Sequence, residues 1–340
     1  MEGCFKISMT RLQIFFKNTK AKFSFLTICI VYMMSLCANF IANDRPIIVY
    51  YKGKLYCPIY HDYSSDVFEG EPGIVADFSD PKIHENIKAH GWTIKPLIPY
   101  GDGSIDDTQC ALSPPSPRHF LGTDDQGRDV FVRLLYGIRT SLTFGIILVV
   151  ITSLISLCIG AMQGYFGGTV DLWIQRFIEI WGSLPILYIL MLLSCFFAPH
   201  FAWLVVVVSF FYWMPLANLV RLEFLRIRAM DYIKACEVLG ATPSRIMRKH
   251  ILPNAMICIL TYTPFLMNQA IVILASLDFL GFGLPLGSPS IGDLITQSKN
   301  NVHAPWLGMT TFLTMACILS ALTFIGEGIR EAFSPQQVNT

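Results

Sequence analysis

Long stretches of this chain run twenty or more residues without a charged side chain, among them Phe23 to Asn43, Ser141 to Phe166, Phe201 to Val220, Asn254 to Leu277 and Trp306 to Ile325. A helix needs about 20 apolar residues to cross the hydrocarbon of a bilayer, so each is long enough to span it. A sixth apolar stretch, about 177–198, follows Asp171, Arg176 and Glu179 on a helix that leads into it. The chain is 53% hydrophobic and 14% charged, against roughly a quarter charged in soluble domains. The expected fold class is an all-α polytopic membrane protein with six transmembrane helices. Net charge is +1, which supplies no general basic field for nucleic acid.

Residues 1–22 carry Lys6, Arg11, Lys17, Lys20 and Lys22 against Glu2. The apolar run that follows is long for a cleaved signal sequence. No small-x-small cleavage site is clean near Ala42, and Leu36 is too large to precede a lipoprotein Cys37. Residues 23–43 therefore read as an uncleaved first span with a cytoplasmic N-terminus, by the positive-inside bias. Residues 44–135 differ in kind: with 14 acids and 9 bases they read as a polar insert on the other side. Ile47–Tyr51 and Leu55–Tyr60 flank Lys52-Gly53-Lys54 as a β-hairpin would, and Gly70 to Pro117 is mostly turn residues. Cys57 and Cys110 are the insert's only cysteines. Outside the cytoplasm they either join in a disulfide or stand as free thiols, a choice that spacing leaves open. The other cysteines lack C-x-x-C or His spacing for a metal. Phe120–Asp129 has three Asp, one Arg and two Gly but not the D-x-D-x-D-G calcium spacing; it reads as a capped turn that starts a helix at Arg128. Residues 136–335 then hold spans 2–6, at about 141–166, 177–198, 201–220, 254–277 and 306–325, with a loop of about 20 residues after Pro285.

Between the fourth and fifth spans lies a polar loop, 221–253. From Arg221 to His250 it carries seven Lys or Arg against three acids. After Asp231, the residues Tyr232, Ala235, Cys236 and Leu239 recur at i, i+3, i+4 and i+7, a narrow apolar face that needs a partner. Gly240 ends this helix by taking a left-handed conformation. Thr242 fits an N-cap and Pro243 the first position of a second helix. Pro253, after Leu252, has no backbone donor and is expected to break the helix before the next span.

No G-x-x-x-x-G-K-[ST] is present, so the chain has no P-loop for ATP. No nucleophile elbow or H-E-x-x-H occurs, and no catalytic residue, cofactor or metal is expected. The spans hold almost no charge at mid-membrane, which disfavours a proton-coupled transporter. Asp278 sits at a span end, where a hydrogen bond to loop backbone is favoured over a gating role. Gly145, Gly160, Pro185, Pro215 and Pro264 suit helix packing and kinks.

The loop resembles the EAA loop of permease subunits of binding-protein-dependent ABC importers: Ala235-Cys236, Gly240 and Leu252-Pro253 stand at that signature's spacings. LGTDDQGRDVFVRLLYGIRTSL resembles the start of the permease domain in oligopeptide and dipeptide permeases. LDFLGFGLPLGSPS and GEGIREAFSP follow in the family's order, so the likeness covers roughly Leu121 to Pro335. In the insert, NDRPIIVYYKGKLYCPIY narrows the resemblance to the subgroup associated with uptake of microcin C-type peptides and other oligopeptides in Gram-negative bacteria. Lys234-Ala235-Cys236 stands where the signature has Glu-Ala-Ala, and His250 where an Ile is usual.

The resemblance implies a type I importer permease in a bacterial inner membrane, with both termini cytoplasmic. Its implied partners are ABC ATPase subunits that hydrolyse the ATP, a second related permease, an extracytoplasmic peptide-binding protein, an oligopeptide substrate and membrane lipid. Asp231, Tyr232, Ala235, Cys236, Gly240, Leu252 and Pro253 are the implied ATPase-coupling residues. Two other functions stay open: a permease that exports, and a membrane receptor or scaffold that uses residues 44–135 as a ligand-binding domain.

Overall fold

This computed structural model describes residues 13–70, 73–78, 80–105, 111–285 and 287–333. The chain divides into two compact units, one of Met1–Cys29, Ser141–Pro285 and Met315–Thr340, the other of Ile30–Thr140 and Leu286–Thr314. In chain order the elements are α1 (Thr19–Leu36), α2 (Ala38–Ile41), β1 (Ile48–Tyr51), β2 (Lys54–Tyr56), α3 (Pro81–His90), β3 (Gly91–Ile94) and α4 (Val130–Phe166). There follow α5 (Gly168–Gly182), α6 (Ile186–Phe196), α7 (Phe201–Tyr212), α8 (Met214–Arg228), α9 (Asp231–Val238), α10 (Pro243–Ile246), α11 (Leu252–Phe279), α12 (Ile291–Asn300) and α13 (Pro305–Phe333).

Among the described residues, four helical stretches are long and apolar enough to cross a membrane: α1, α4, Pro243–Phe279 and α13. Two bent pairs bring the number to six. The third and fourth expected spans, 177–198 and 201–220, are thus not single straight helices. The helices α5 and α6 meet at 72°, and α7 and α8 at 42°. Proline explains both breaks. Pro185 has no N–H to continue the ladder and disfavours helix at Leu184 before it. Pro215, in the first turn of α8, has no N–H for the carbonyl of Phe211 four residues back, and beside it the carbonyl of Phe210 accepts from the indoles of Trp213 (2.9 Å) and Trp181 (3.1 Å).

Pro253 behaves differently from expectation. It does not break the helix; Pro243–Phe279 is continuous through a π-helical turn at Met247–Ile251, and Pro253 lies in the first turn of α11. A wider turn moves the preceding carbonyls off the proline ring, so the missing donor is accommodated rather than terminating the element. Close helix approach is set by Gly160 on α4: a Cβ there would lie 2.6 Å from the carbonyl oxygen of Ala217 on α8. Gly145, by contrast, has only ordinary contacts near Met267. Asp278 accepts a 2.7 Å bond from the amide of Leu284, the helix-end role favoured above.

In the second unit the expected hairpin is present, with Val49 opposite Tyr56 and Tyr51 opposite Lys54. Lys52 and Gly53 both take positive φ, 47° and 81°, as a two-residue turn of matching twist requires. The stretch read as mostly turns also holds α3 and β3. β3 pairs antiparallel with the far edge of β1, giving the order β2-β1-β3. Asp80 caps α3 by accepting from the amide of Lys82 at 2.9 Å. Val49 and Tyr51 point to one face and are buried with Phe68, Ile83 and Ile87. The loop after Pro285 contains α12, whose N-cap Ser290 accepts from the amide of Asp293 at 3.0 Å.

Candidate functional site

The loop 221–253 hangs from a fixed base. Arg221 donates Nε and Nη2 to the two carboxylate oxygens of Asp171, both at 2.5 Å, a bidentate pair between α8 and the first turn of α5. Arg228 donates to the carbonyl of Tyr165 at 2.7 Å. The loop's own hydrophobic support is Ile233, Ile246 and Ile251, all buried with Val220, Phe224 and Ala255 in one cluster.

Ile233 and half-buried Cys236 turn α9 inward; the opposite edge is open. Tyr232 and Ala235 are exposed there, and Val238 and Leu239 are 88% and 86% exposed. The apolar edge is therefore Tyr232–Ala235–Val238–Leu239, rotated slightly from the expected stripe, with Cys236 on its packed side. Val238 is an addition to that stripe; its i+3 spacing from Ala235 is the sequence signal for it.

Gly240 closes the helix. Its φ is +78°, its amide donates to the carbonyl of Glu237, and the amide of Ala241 reaches back to Cys236, both at 3.0 Å. That pair of bonds is a Schellman termination, which favours glycine at this position. A Cβ on Gly240 would meet no atom within 4 Å, so a side chain there meets open space and backbone strain. Thr242 occupies the N-cap position of α10, with Pro243 at N1, but its side chain makes no capping bond. Beyond it Arg245, Arg248 and Lys249 are exposed, as is Pro253, while Leu252 is half-buried. Asp231 forms an exposed 3.2 Å pair with Lys234, and the Tyr232 ring lies 6.3 Å from that of His250. The result is a helix–turn–helix with a bare apolar edge and exposed bases.

The other charged motif, Asp124–Asp129, forms a buried clasp inside the second unit. Asp124 accepts from the amides of Gln126 (2.9 Å) and Arg128 (2.8 Å) and from Arg128 Nε at 2.7 Å. Arg133 is fully buried, 2.8 Å from Asp293 on α12 and 3.5 Å from Asp124. Asp129 caps α4 by accepting from the amide of Val132 at 3.0 Å, and its other oxygen meets the ring of His119 at 2.7 Å. Burial, with the charge of Asp124 alongside, pushes the Asp125 carboxyl above its ordinary range. Among the described residues no group of three His, Cys, Asp or Glu is placed to hold a metal ion. Cys57 is exposed; Cys110 lies outside the described residues.

The family described as "Binding-protein-dependent transport system inner membrane component" matches residues 156–338. This chain belongs to that family. The permease is 45% identical to the inner membrane ABC transporter permease protein YejE of Escherichia coli K12, over 97% of this chain and 98% of that protein. It is 41% identical to the peptidoglycan transport system permease protein YejE of Agrobacterium fabrum, over 96% and 92%. It is 32% identical to the dipeptide transport system permease protein DppC of Bacillus subtilis, but over only 66% of this chain and 70% of that one. An inward-facing structure of the MetNI methionine ABC transporter shares the fold, with a TM-score of 0.51 at 17% identity over 59% of this chain and 97% of that chain. The permease is thus a multi-pass inner-membrane component of a binding-protein-dependent transport system.

Proposed function

We propose that this permease imports peptides and that the loop Asp231–Asn254 is where its ATPase partner docks. The peptide class rests on the names of its relatives. The docking role rests on one observation: Val238 and Leu239 stand almost fully exposed on a helix whose other face is buried and whose end is fixed by Gly240. The basic loop and both termini face the cytoplasm in this reading, as the Lys and Arg excess favours. A binding protein delivers peptide on the other side, and a second related permease completes the pathway. ATP, hydrolysed by a separate subunit, closes the ATPase pair; Tyr232, Ala235, Val238 and Leu239 carry that movement into α8 and α11. The spans then exchange outward- and inward-facing states, one two-state element biased by ATP and by the loaded binding protein. Transport of a labelled peptide into vesicles tests it: Gly240→Asp is expected to reach the membrane and abolish uptake, and normal uptake by that variant would overturn the docking claim.

Within the insert, the proposal includes a disulfide between Cys57 and Cys110. A mobility difference between oxidised and reduced protein that disappears in Cys57→Ser supports it, and identical mobility of the two wild-type forms removes it.

A further inference from the structure

The three-stranded sheet of the insert has two unlike faces. Val49 and Tyr51 turn inward onto α3. The residues between and opposite them turn outward, because side chains alternate along a strand. Tyr50 stands opposite both Leu55 and Trp92, and Ile48 opposite Ile94. The Tyr50 and Trp92 rings are stacked at 5.8 Å. Yet this aromatic and aliphatic surface is open: Leu55, Trp92 and Ile94 are 66%, 49% and 45% exposed.

The same surface is tied to the end of the first membrane helix. Past β3 the chain returns to α2: the amide of Ile98 donates to the carbonyl of Ile41 at 2.9 Å, and the amide of Asn43 donates to Ile98 at 3.2 Å. Leu97, next to that junction, is 85% exposed. On α2 itself Phe40 packs edge-on against Tyr60, which is 71% exposed. The helix leading to this point shows lipid-type exposure along its length, with Phe23, Leu26, Ile30 and Met33 all open. That apolar helix ends at Leu36, and α2 carries the chain on to Ile41. Trp and Tyr prefer the membrane–water interface, since an apolar ring and a polar edge suit the headgroup layer.

We infer that the outer face of this sheet is a lipid-interface anchor, occupied by the headgroup and upper acyl region of the phospholipid leaflet around the first span. Leu97 and Tyr60 sit at the boundary. Trp92 is five residues up the chain from Leu97, at most ~17 Å along an extended strand. The headgroup layer is only about 5–8 Å deep on each side, so with Trp92 and Leu97 both in it the proposal requires β3 to lie along the membrane surface. In that placement exposed Lys95, between Ile94 and Leu97, would reach the lipid phosphates. The insert then has a defined posture on the bilayer, which holds its remaining surface toward the aqueous side.

The test is photocrosslinking of the full chain in native membranes with its partner subunits. p-Benzoylphenylalanine is placed singly at Leu97, Trp92 and, as a control, at exposed Lys82 on α3. The inference expects phospholipid adducts, read by mass, at Leu97 and Trp92 and none at Lys82. Adducts at Leu97 and Trp92 to a binding protein or another subunit overturn it, as does labelling equal to that of Lys82. Lipids brominated near the headgroup give an independent reading in vesicles: Trp92→Phe is expected to remove part of the quenchable tryptophan emission, and unchanged quenching contradicts the anchor.

Discussion

The loop 221–253 and the Asp124 clasp both break the usual rule for which side chains face water, in opposite directions. In the loop, Val238 and Leu239 are apolar and almost fully exposed. In the clasp, Asp124 and Arg133 are charged and fully buried. The clasp resolves its anomaly within the chain: each charge has an opposite partner, and Asp124 also accepts from two backbone amides. A buried charge satisfied in this way is architecture, fixing where α4 begins relative to α12 in the same unit. The loop resolves nothing within the chain. Its helix is supported on the Ile233 side and ended by Gly240, and its other edge stays bare. The exposed apolar edge is what the docking proposal rests on; the buried ionic group, with its charges paired, supports no such proposal.

Breaking the clasp has the largest expected effect. Asp124→Ala leaves Arg128 and Arg133 buried without their shared carboxylate, a loss of roughly 3–5 kcal/mol. The measurement is thermal unfolding of the purified protein in detergent, and an unchanged Tm would show that the clasp is not structural. Asp124→Asn keeps an acceptor for the amides of Gln126 and Arg128 and is expected to lose less. On the loop's hidden face, Ile233→Ala removes a fully buried side chain, destabilising by about 2–5 kcal/mol; the same assay reads it, and a loss near zero would mean the loop is not supported as described.

Gly160→Leu comes next. Its side chain would drive into the Ala217 carbonyl, an overpacking effect of about 1–3 kcal/mol, with a lower Tm expected and full stability contradicting the tight α4–α8 contact. Last in stability is Leu239→Ser, within about 0.5 kcal/mol because the side chain stands almost fully in solvent. Its effect belongs to binding instead: burying a Leu against the ATPase contributes roughly 1.5–3 kcal/mol, so affinity is expected to fall about tenfold or more. Titration of the ATPase onto the reconstituted permease reads this, and equal affinity would move the dock elsewhere.

Part of this organisation is legible in the amino-acid sequence. Span existence follows from the lack of charge over twenty residues, and the helix end at Gly240 follows from turn chemistry alone. The prolines mark the bends at Pro185 and Pro215, but the angles, 72° and 42°, are set by packing that the sequence does not display. Pro253 misleads because the helix runs on through a π-turn at Met247–Ile251 just before it, bounded by buried Ile246 and Ile251. The helices α3 and α12 are hidden in loop-like composition, although Asp80-Pro81 and Ser290 with Asp293 three residues on are helix-start signals. Which edge of α9 stays open is not a property of its periodicity. Ile233 and Tyr232 are both apolar, and only packing against Val220 and Phe224 selects Ile233 for the inside.

The most direct test of the docking claim is co-purification. The tagged permease is expressed with its second permease and ATPase, as wild type and as the double variant Val238→Asp/Leu239→Asp. The account predicts that the ATPase comes down with wild type and is lost from the variant, while the variant still reaches the membrane and keeps the second permease. A variant that retains the ATPase as well as wild type does would contradict the claim that the exposed edge of α9 is the dock.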